Sequence, residues 1–456
     1  MNILGRLLLI FALFQIILSQ NNQTFQDNRD IYITVFTHGT IHPHVKLDEL
    51  SLVFKDEIKD THYSYVNEWH RQAPIYFKTQ AMQGLGLEPI NLHPIGKPRS
   101  NGATALANIF EYFYQKDHPD RINHYYTFGW SGLLSQKERL KAAEQYHKEL
   151  KELLKKYHTQ GLNPKLRLVG FSHGGTITLN LGLYEPDDIN KLEVPVTELI
   201  LVGTPVQKET ECLVDHPMFK RAFQFYSRGD FPQTSDYIST DYFFCHWRFL
   251  PHNFCMFRDK QDPTVEHSFE LPDKLTQIEL QFLIGNHIIA PKHTELWTFA
   301  WAQRWYRKQF PLSPIPVIAI VPALLKAIER NLPKDVHELV ATVHINEGSP
   351  KDTLEIKELY PNLQTKTAPY MVPFLKHVDL QTVCKIAQKY EPKFQTSKKV
   401  RKSSVRAERY ALAKMKEAKI QACLVKYAND IQRVPRLTKK AKQAQQDLIS
   451  NQLPNT

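Results

Sequence analysis

Leu166-Arg167-Leu168-Val169-Gly170-Phe171-Ser172-His173-Gly174-Gly175, continuing into Thr176-Ile177-Thr178-Leu179-Asn180-Leu181-Gly182-Leu183, is the stretch on which the reading of the whole chain turns. Leu166–Val169 is an apolar run of strand length. Thr176–Leu183 suits a helix. Between them lies Gly-x-Ser-x-Gly. A sharp strand-to-helix turn of this kind holds a serine in a strained backbone conformation, with its hydroxyl clear of the sheet. Side chains two residues either side of the serine would clash, which accounts for Gly170 and Gly174. Gly175 lets the helix pack closely on the strand. The five-residue pattern is common by chance. Its specificity comes from the strand before it and the helix after it, and the bland alternative is a glycine-rich turn with an incidental serine.

Working outward, the same alternation recurs. Ile31–Thr37 is β-branched and aromatic and ends at His38-Gly39. Residues 86–104 read as loop, Ala103–Gln115 as helix, and His124–Phe128 as strand closed by Gly129-Trp130-Ser131-Gly132. Ser135-Gln136-Lys137-Glu138 is a capping-box pattern. It opens a helix with Leu140, Ala143, Tyr146, Leu150, Leu153, Leu154 and Tyr157 at helical spacing and Gly161 as its stop. Downstream, Leu199–Gly203, Phe223–Ser227 and Ile278–Ile284 read as strands, followed by a helix over Thr294–Lys308. Strands alternating with helices predict an α/β fold with a mostly parallel sheet covered on both faces.

After Phe310 the character changes. Pro311–Pro322 is proline-rich and apolar, Ala323–Glu329 is helical in pattern, and His337–Ile345 with Thr353–Leu359 form a candidate strand pair. The expected organisation is a domain over 30–310, an appendage over 311–390, and a basic helical or flexible tail over 391–456. An aromatic insertion over 231–273 reads either as a lid or as a subdomain core.

The chain has 456 residues, 42% hydrophobic and 11% aromatic, enough to bury a core and to exclude a disordered body. Its net charge of +11 lies in residues 391–456, which hold 16 basic and 5 acidic groups, so the body is neutral. A neutral body gives no reason to expect nucleic acid as a partner. The tail reads either as a solvated linker or as a contact for an anionic membrane surface. At the N-terminus, Arg6, an apolar run over Leu7–Leu18 and a small residue at Ser19 describe a signal peptide over 1–19. An uncleaved anchor is the alternative. Export follows from either. Five cysteines are not a disulfide framework. A single Cys245–Cys255 bridge and buried free thiols are both compatible with the chain.

The Gly-Phe-Ser-His-Gly-Gly segment resembles the elbow of lipases and esterases in the α/β-hydrolase superfamily. Thr37-His38-Gly39-Thr40 after a strand resembles their His-Gly oxyanion segment. The resemblance covers about 30–310 in motif order. It implies an α/β-hydrolase fold and a triad in the chain order Ser, acid, His. Ser172 is then the nucleophile. Asp230, directly after Phe223–Ser227, is the acid, with Asp236 and Asp241 as alternatives. His293, opening the final helix in His-Thr-x-Leu-Trp, is preferred as base, and His287 is the alternative base. The backbone N–H of His173 and one at Gly39 or Thr40 would hold the oxyanion. His38 would shape the loop rather than carry a proton.

Other clusters carry less. Ser131 lacks the second spaced glycine and reads as a turn. His38, His42 and His44 come without carboxylates, and Cys245, His246, His252 and Cys255 match no zinc spacing, so no metal and no cofactor is expected. The expected activity is cleavage of ester or lipid substrates. The alternatives are a thioesterase or amidase using the same triad, or a non-catalytic scaffold that binds a partner through its C-terminal extension.

Overall fold

The computed structural model describes residues 30–41, 45, 49–185, 191–235, 245–250, 271–301, 310–331, 336–344, 353–358, 370–373, 379–393, 398–433 and 446–447. The signal-peptide segment, His42, His44, Asp236, Asp241, His252, Cys255 and most of the aromatic insertion lie outside these. Among the described residues the strands are β1 (Ile31–Thr37), β2 (Gly86–Pro89), β3 (Ile122–Gly129), β4 (Lys165–Phe171), β5 (Val196–Val202), β6 (Val206–Gln207), β7 (Ala222–Tyr226), β8 (Cys245–His246), β9 (Leu275–Ile284), β10 (His287–Ile289), β11 (Glu338–His344), β12 (Thr353–Glu358) and β13 (Tyr370–Pro373). The chain is an α/β protein. Its central sheet runs β13-β12-β11-β9-β7-β5-β4-β1-β3-β2, with β10 added along β9. From β3 to β11 the strands are parallel. β2, β10, β12 and β13 pair antiparallel.

Both faces of the parallel region are covered, which is why its strands are apolar on both sides. Ile31, Ile33 and Val35 of β1 meet Tyr146, Leu150 and Leu154 of the helix Gln136–Thr159 on one face. Phe36 points the other way, onto Phe110 of the helix Asn101–Asp117, at 5.0 Å between ring centroids. This is the two-residue alternation of a strand serving two cores. Ser135 caps its helix, its Oγ accepting the Glu138 N–H at 3.1 Å, but the box is not reciprocal, because the Ser135 N–H bonds Leu133 O at 2.9 Å. Glu138 itself pairs with Lys141 at 2.8 Å. Gly161 ends the helix at φ +73°.

Three expectations need correction. The described residues of 311–390 do not stand apart from the sheet of the preceding chain. β11 lies parallel along β9, with β12 and β13 beyond it, and the helices Val321–Asn331 and Leu380–Lys389 cover the same core. Leu312, Ile315 and Val317–Val321 are buried, because the proline-rich run is a wall of that core. The helix expected over Thr294–Lys308 is only His293–Trp297 within the described residues. Beyond it Phe299 N–H bonds Thr79 O and Ala300 N–H bonds Pro314 O, both at 2.9 Å. Phe299 and Trp301 are both buried and stack at 4.3 Å. Residues two apart share a side in extended chain and not on a helix. The loop over 86–104 contains β2, a short edge strand ending in Pro89, as prolines in sheets require.

Candidate functional site

β4 ends at Phe171 and a helix begins at His173 (His173–Leu179), so Ser172 alone makes the turn. It sits at φ 52°, ψ −133°. Such a conformation costs a non-glycine residue on the order of 1–3 kcal/mol and persists only where the surroundings over-determine it. Here the Ser172 N–H donates to Val202 O at the end of β5 at 3.0 Å, and Gly175 N–H donates back to Ser172 O at 2.9 Å. A methyl group on Gly170 would lie 2.5 Å from Gly175 Cα; one on Gly174 would overlap the carbonyl oxygens of Thr37 and His38, and one on Gly175 the Thr204 side chain. The elbow is thus pressed between the ends of β1 and β5.

The other wall is the segment after β1. A Cβ on Gly39 would come within 2.7 Å of Ser172 Cβ, so this backbone touches the serine directly. His38, fully buried, holds the segment in place. Its Nε2 accepts the Trp130 N–H at 3.3 Å, which leaves Nδ1 to donate to Gly39 O at 2.8 Å. Trp130 Nε1–H returns a bond to His38 O at 2.7 Å, and the two rings stack at 5.9 Å. Burial, reinforced by the nearby Arg71 charge, lowers the His38 pKa to about 3. His38 is therefore a neutral strut. Arg71 supports the same loop by donating to Trp130 O at 2.6 Å and Gly84 O at 2.8 Å, and Asn67 donates to Ser131 O at 2.7 Å. Ser131 is a turn residue whose Oγ meets the Leu133 N–H at 3.4 Å.

Asp230 follows β7 and is fully buried; His293 follows β10, which turns back along β9, and its side chain is 19% exposed. His293 Nδ1 lies 2.8 Å from both carboxylate oxygens, and Gln233 N–H donates to Oδ1 at 3.2 Å. Gly203, at φ +55° after β5, lets the pair approach, since a Cβ there would lie 2.8 Å from Asp230 Oδ2. The two loops are tied together by Ser227, whose hydroxyl donates to Pro291 O at 2.7 Å and accepts Gly229 N–H at 3.1 Å. Glu295 turns the chain at His293 by accepting the Lys292 N–H at 2.8 Å. The His293 ring packs on Phe171, the residue before Ser172, at 4.6 Å, and Trp297 stacks on the same ring at 5.2 Å.

Ser172, His173, Gly39, Thr40, Asp230 and His293 therefore sit at the carboxyl ends of β1, β4, β7 and β9. Among the described residues no hydrogen bond joins Ser172 Oγ to His293. Such bonds are often long without substrate and tighten when it binds. His287 lies apart, exposed at the start of β10 and opposite Ile284.

Sequence reasoning missed Trp130, Arg71, Asn67 and Ser227. Gly129-Trp130-Ser131-Gly132 after a strand was a signal for the first; the others act across long sequence separations and left none. The Cys245 thiol donates to Gln233 O at 2.8 Å, and the expected Cys245–Cys255 bridge lies outside the described residues because Cys255 does. Among the described residues no group of three His, Cys, Asp or Glu is placed to hold a metal ion, and no helix is long and apolar enough to cross a membrane. No family model, curated protein or solved structure matches this chain.

Proposed function

We propose that this chain is a serine hydrolase of the α/β-hydrolase type that cleaves carboxylic esters through an acyl-enzyme. One observation carries the reading. A strained Ser172 at a strand-to-helix turn shares a sheet end with a bonded Asp230–His293 pair, in the chain order Ser, Asp, His.

In this mechanism Ser172 Oγ attacks the ester carbonyl carbon. Its proton passes to His293 Nε2, the nitrogen that Asp230 leaves uncommitted. Asp230 holds the tautomer and offsets the imidazolium charge, and its complete burial keeps that interaction unscreened. The oxyanion takes hydrogen bonds from the N–H of His173 and from Gly39 or Thr40, on the backbone that abuts Ser172. Collapse expels the alcohol with the proton from His293. Water then repeats the sequence on the acyl-enzyme and releases the acid. The Gly-x-Ser-x-Gly-Gly form supports ester over peptide.

A fluorophosphonate probe tests the reading. The wild-type chain and Ser131→Ala are expected to label, and Ser172→Ala to lose both labelling and p-nitrophenyl ester hydrolysis. Folded wild-type protein that takes no label sinks the proposal.

A further inference from the structure

The C-terminal helix Lys398–Arg433 meets different surroundings on its two sides. One side packs on the helix His62–Arg71. Ala407 and Ala411 are buried with Val66, beside Tyr65 and Trp69. Glu408 lies 2.6 Å from His62 Nε2, and the Tyr410 hydroxyl donates to Glu68 at 3.0 Å. The other side carries Arg406, Arg409, Ala413, Lys416 and Ile420, at intervals alternating between three and four residues, with Leu412 and Lys419 beside them. At 100° per residue these side chains form one stripe. All seven are exposed, Leu412 to 54% and Ile420 to 59%. The acid at its flank, Glu417, is paired with Lys414 at 3.2 Å.

We infer that this stripe is a docking surface for an anionic lipid bilayer. Its charge is local, because the body of the chain is neutral and the tail holds the entire net charge. The alternating three-and-four spacing is also that of a helix–helix seam. A second copy of this chain would set four cations against four, so self-association through the stripe is opposed. A phosphate backbone would satisfy the cations and leave Leu412 and Ile420 in water. A bilayer interface takes both: headgroups meet the basic groups, and the aliphatic side chains and the lysine and arginine stems sink beneath them. Ala407 and Ala411 let the helix lie close on the body, so the stripe stays outward. The inference is independent of the catalytic reading.

The test is co-sedimentation of the full chain with phosphatidylglycerol–phosphatidylcholine vesicles and with phosphatidylcholine alone. Binding to the anionic vesicles only, weakening as salt is added, is expected. Each basic residue near such a surface contributes about fivefold in partitioning. Arg406→Gln, Arg409→Gln, Lys416→Gln and Lys419→Gln together are therefore expected to weaken binding by about tenfold to a thousandfold. Leu412→Ser with Ile420→Ser is expected to weaken it at unchanged charge. All six side chains are exposed, and an unchanged thermal midpoint checks the fold. Equal binding to both vesicle types, or a quadruple variant that binds like wild type, overturns the inference. Full binding by the serine double variant, displaced by duplex DNA, overturns it in favour of nucleic acid.

Discussion

Two buried charge pairs occupy opposite ends of the same sheet, and they are built differently. Near the amino ends of β4 and β5, Arg167 bonds Glu198, with the side chains 2% and 18% exposed. Aromatic rings close over it, Tyr114 at 4.1 Å and Tyr32 at 5.0 Å from the guanidinium. Burial alone would raise the Glu198 pKa; the Arg167 charge and hydrogen bond overcome this and hold it below the ordinary carboxylate value. At the carboxyl end the exposures are reversed in kind. The acid Asp230 is sealed and the base His293 reaches solvent. A pair whose cation never deprotonates and lies under rings can only hold structure. A pair with a sealed acid and an open imidazole can pass a proton.

Substitution of one member of each pair separates the roles. Asp230→Asn keeps shape and removes charge. Ester turnover is expected to fall about 10⁴-fold, as for tautomer loss in a serine triad, with little change in the melting midpoint. A drop in stability as large as the drop in rate would break the comparison. Arg167→Met strands Glu198 in a buried site. It is expected to cost about 3–5 kcal/mol in chemical denaturation, with turnover per folded molecule unchanged.

His38 supplies the third case, a histidine at the same sheet end that is built not to titrate. Burial and Arg71 lower its pKa to about 3, while in the unfolded chain it titrates at about 6.5. Between these values the unfolded chain binds a proton that the folded chain refuses. Its contribution is complete above pH 6.5 and is lost as pH falls toward 3. His38→Gln is expected to flatten that part of the stability–pH curve by up to about 1.4 kcal/mol per pH unit. An unchanged slope would show that other groups set it.

The parts legible in the sequence were those written in local pattern. Leu166–Val169 before Gly170 reads as a buried strand because its residues are continuously apolar, and Ser135 reads as a cap because its partner is three residues away. The illegible parts depend on distant chain. Thr294–Lys308 carries helix formers, yet Thr79 and Pro314 capture its backbone after Trp297. Thr353–Glu358 shows its pairing with β11 locally, but nothing in either strand announces that β11 will lie against β9. At the site, Ser172, Asp230 and His293 stood at recognisable strand ends. Ser227 and Trp130 did not stand out, because a serine bonding a carbonyl 64 residues away and an indole closing on a histidine 92 residues away have no local signature.

The pairing of β11 with β9 also decides where this molecule can be cut. Glu338–His344 runs alongside Gln277–Leu283 for its full length. Removing everything after residue 310 would leave β9 as an open edge, its row of amides and carbonyls free to recruit another chain. It would also strip the cover from Leu280 and Phe282, which now lie in the core with Leu324 and Leu339. The loop that presents His293 hangs from that strand. The smallest piece of this chain able to keep His293 in register is therefore longer than the piece that contains Ser172, Asp230 and His293.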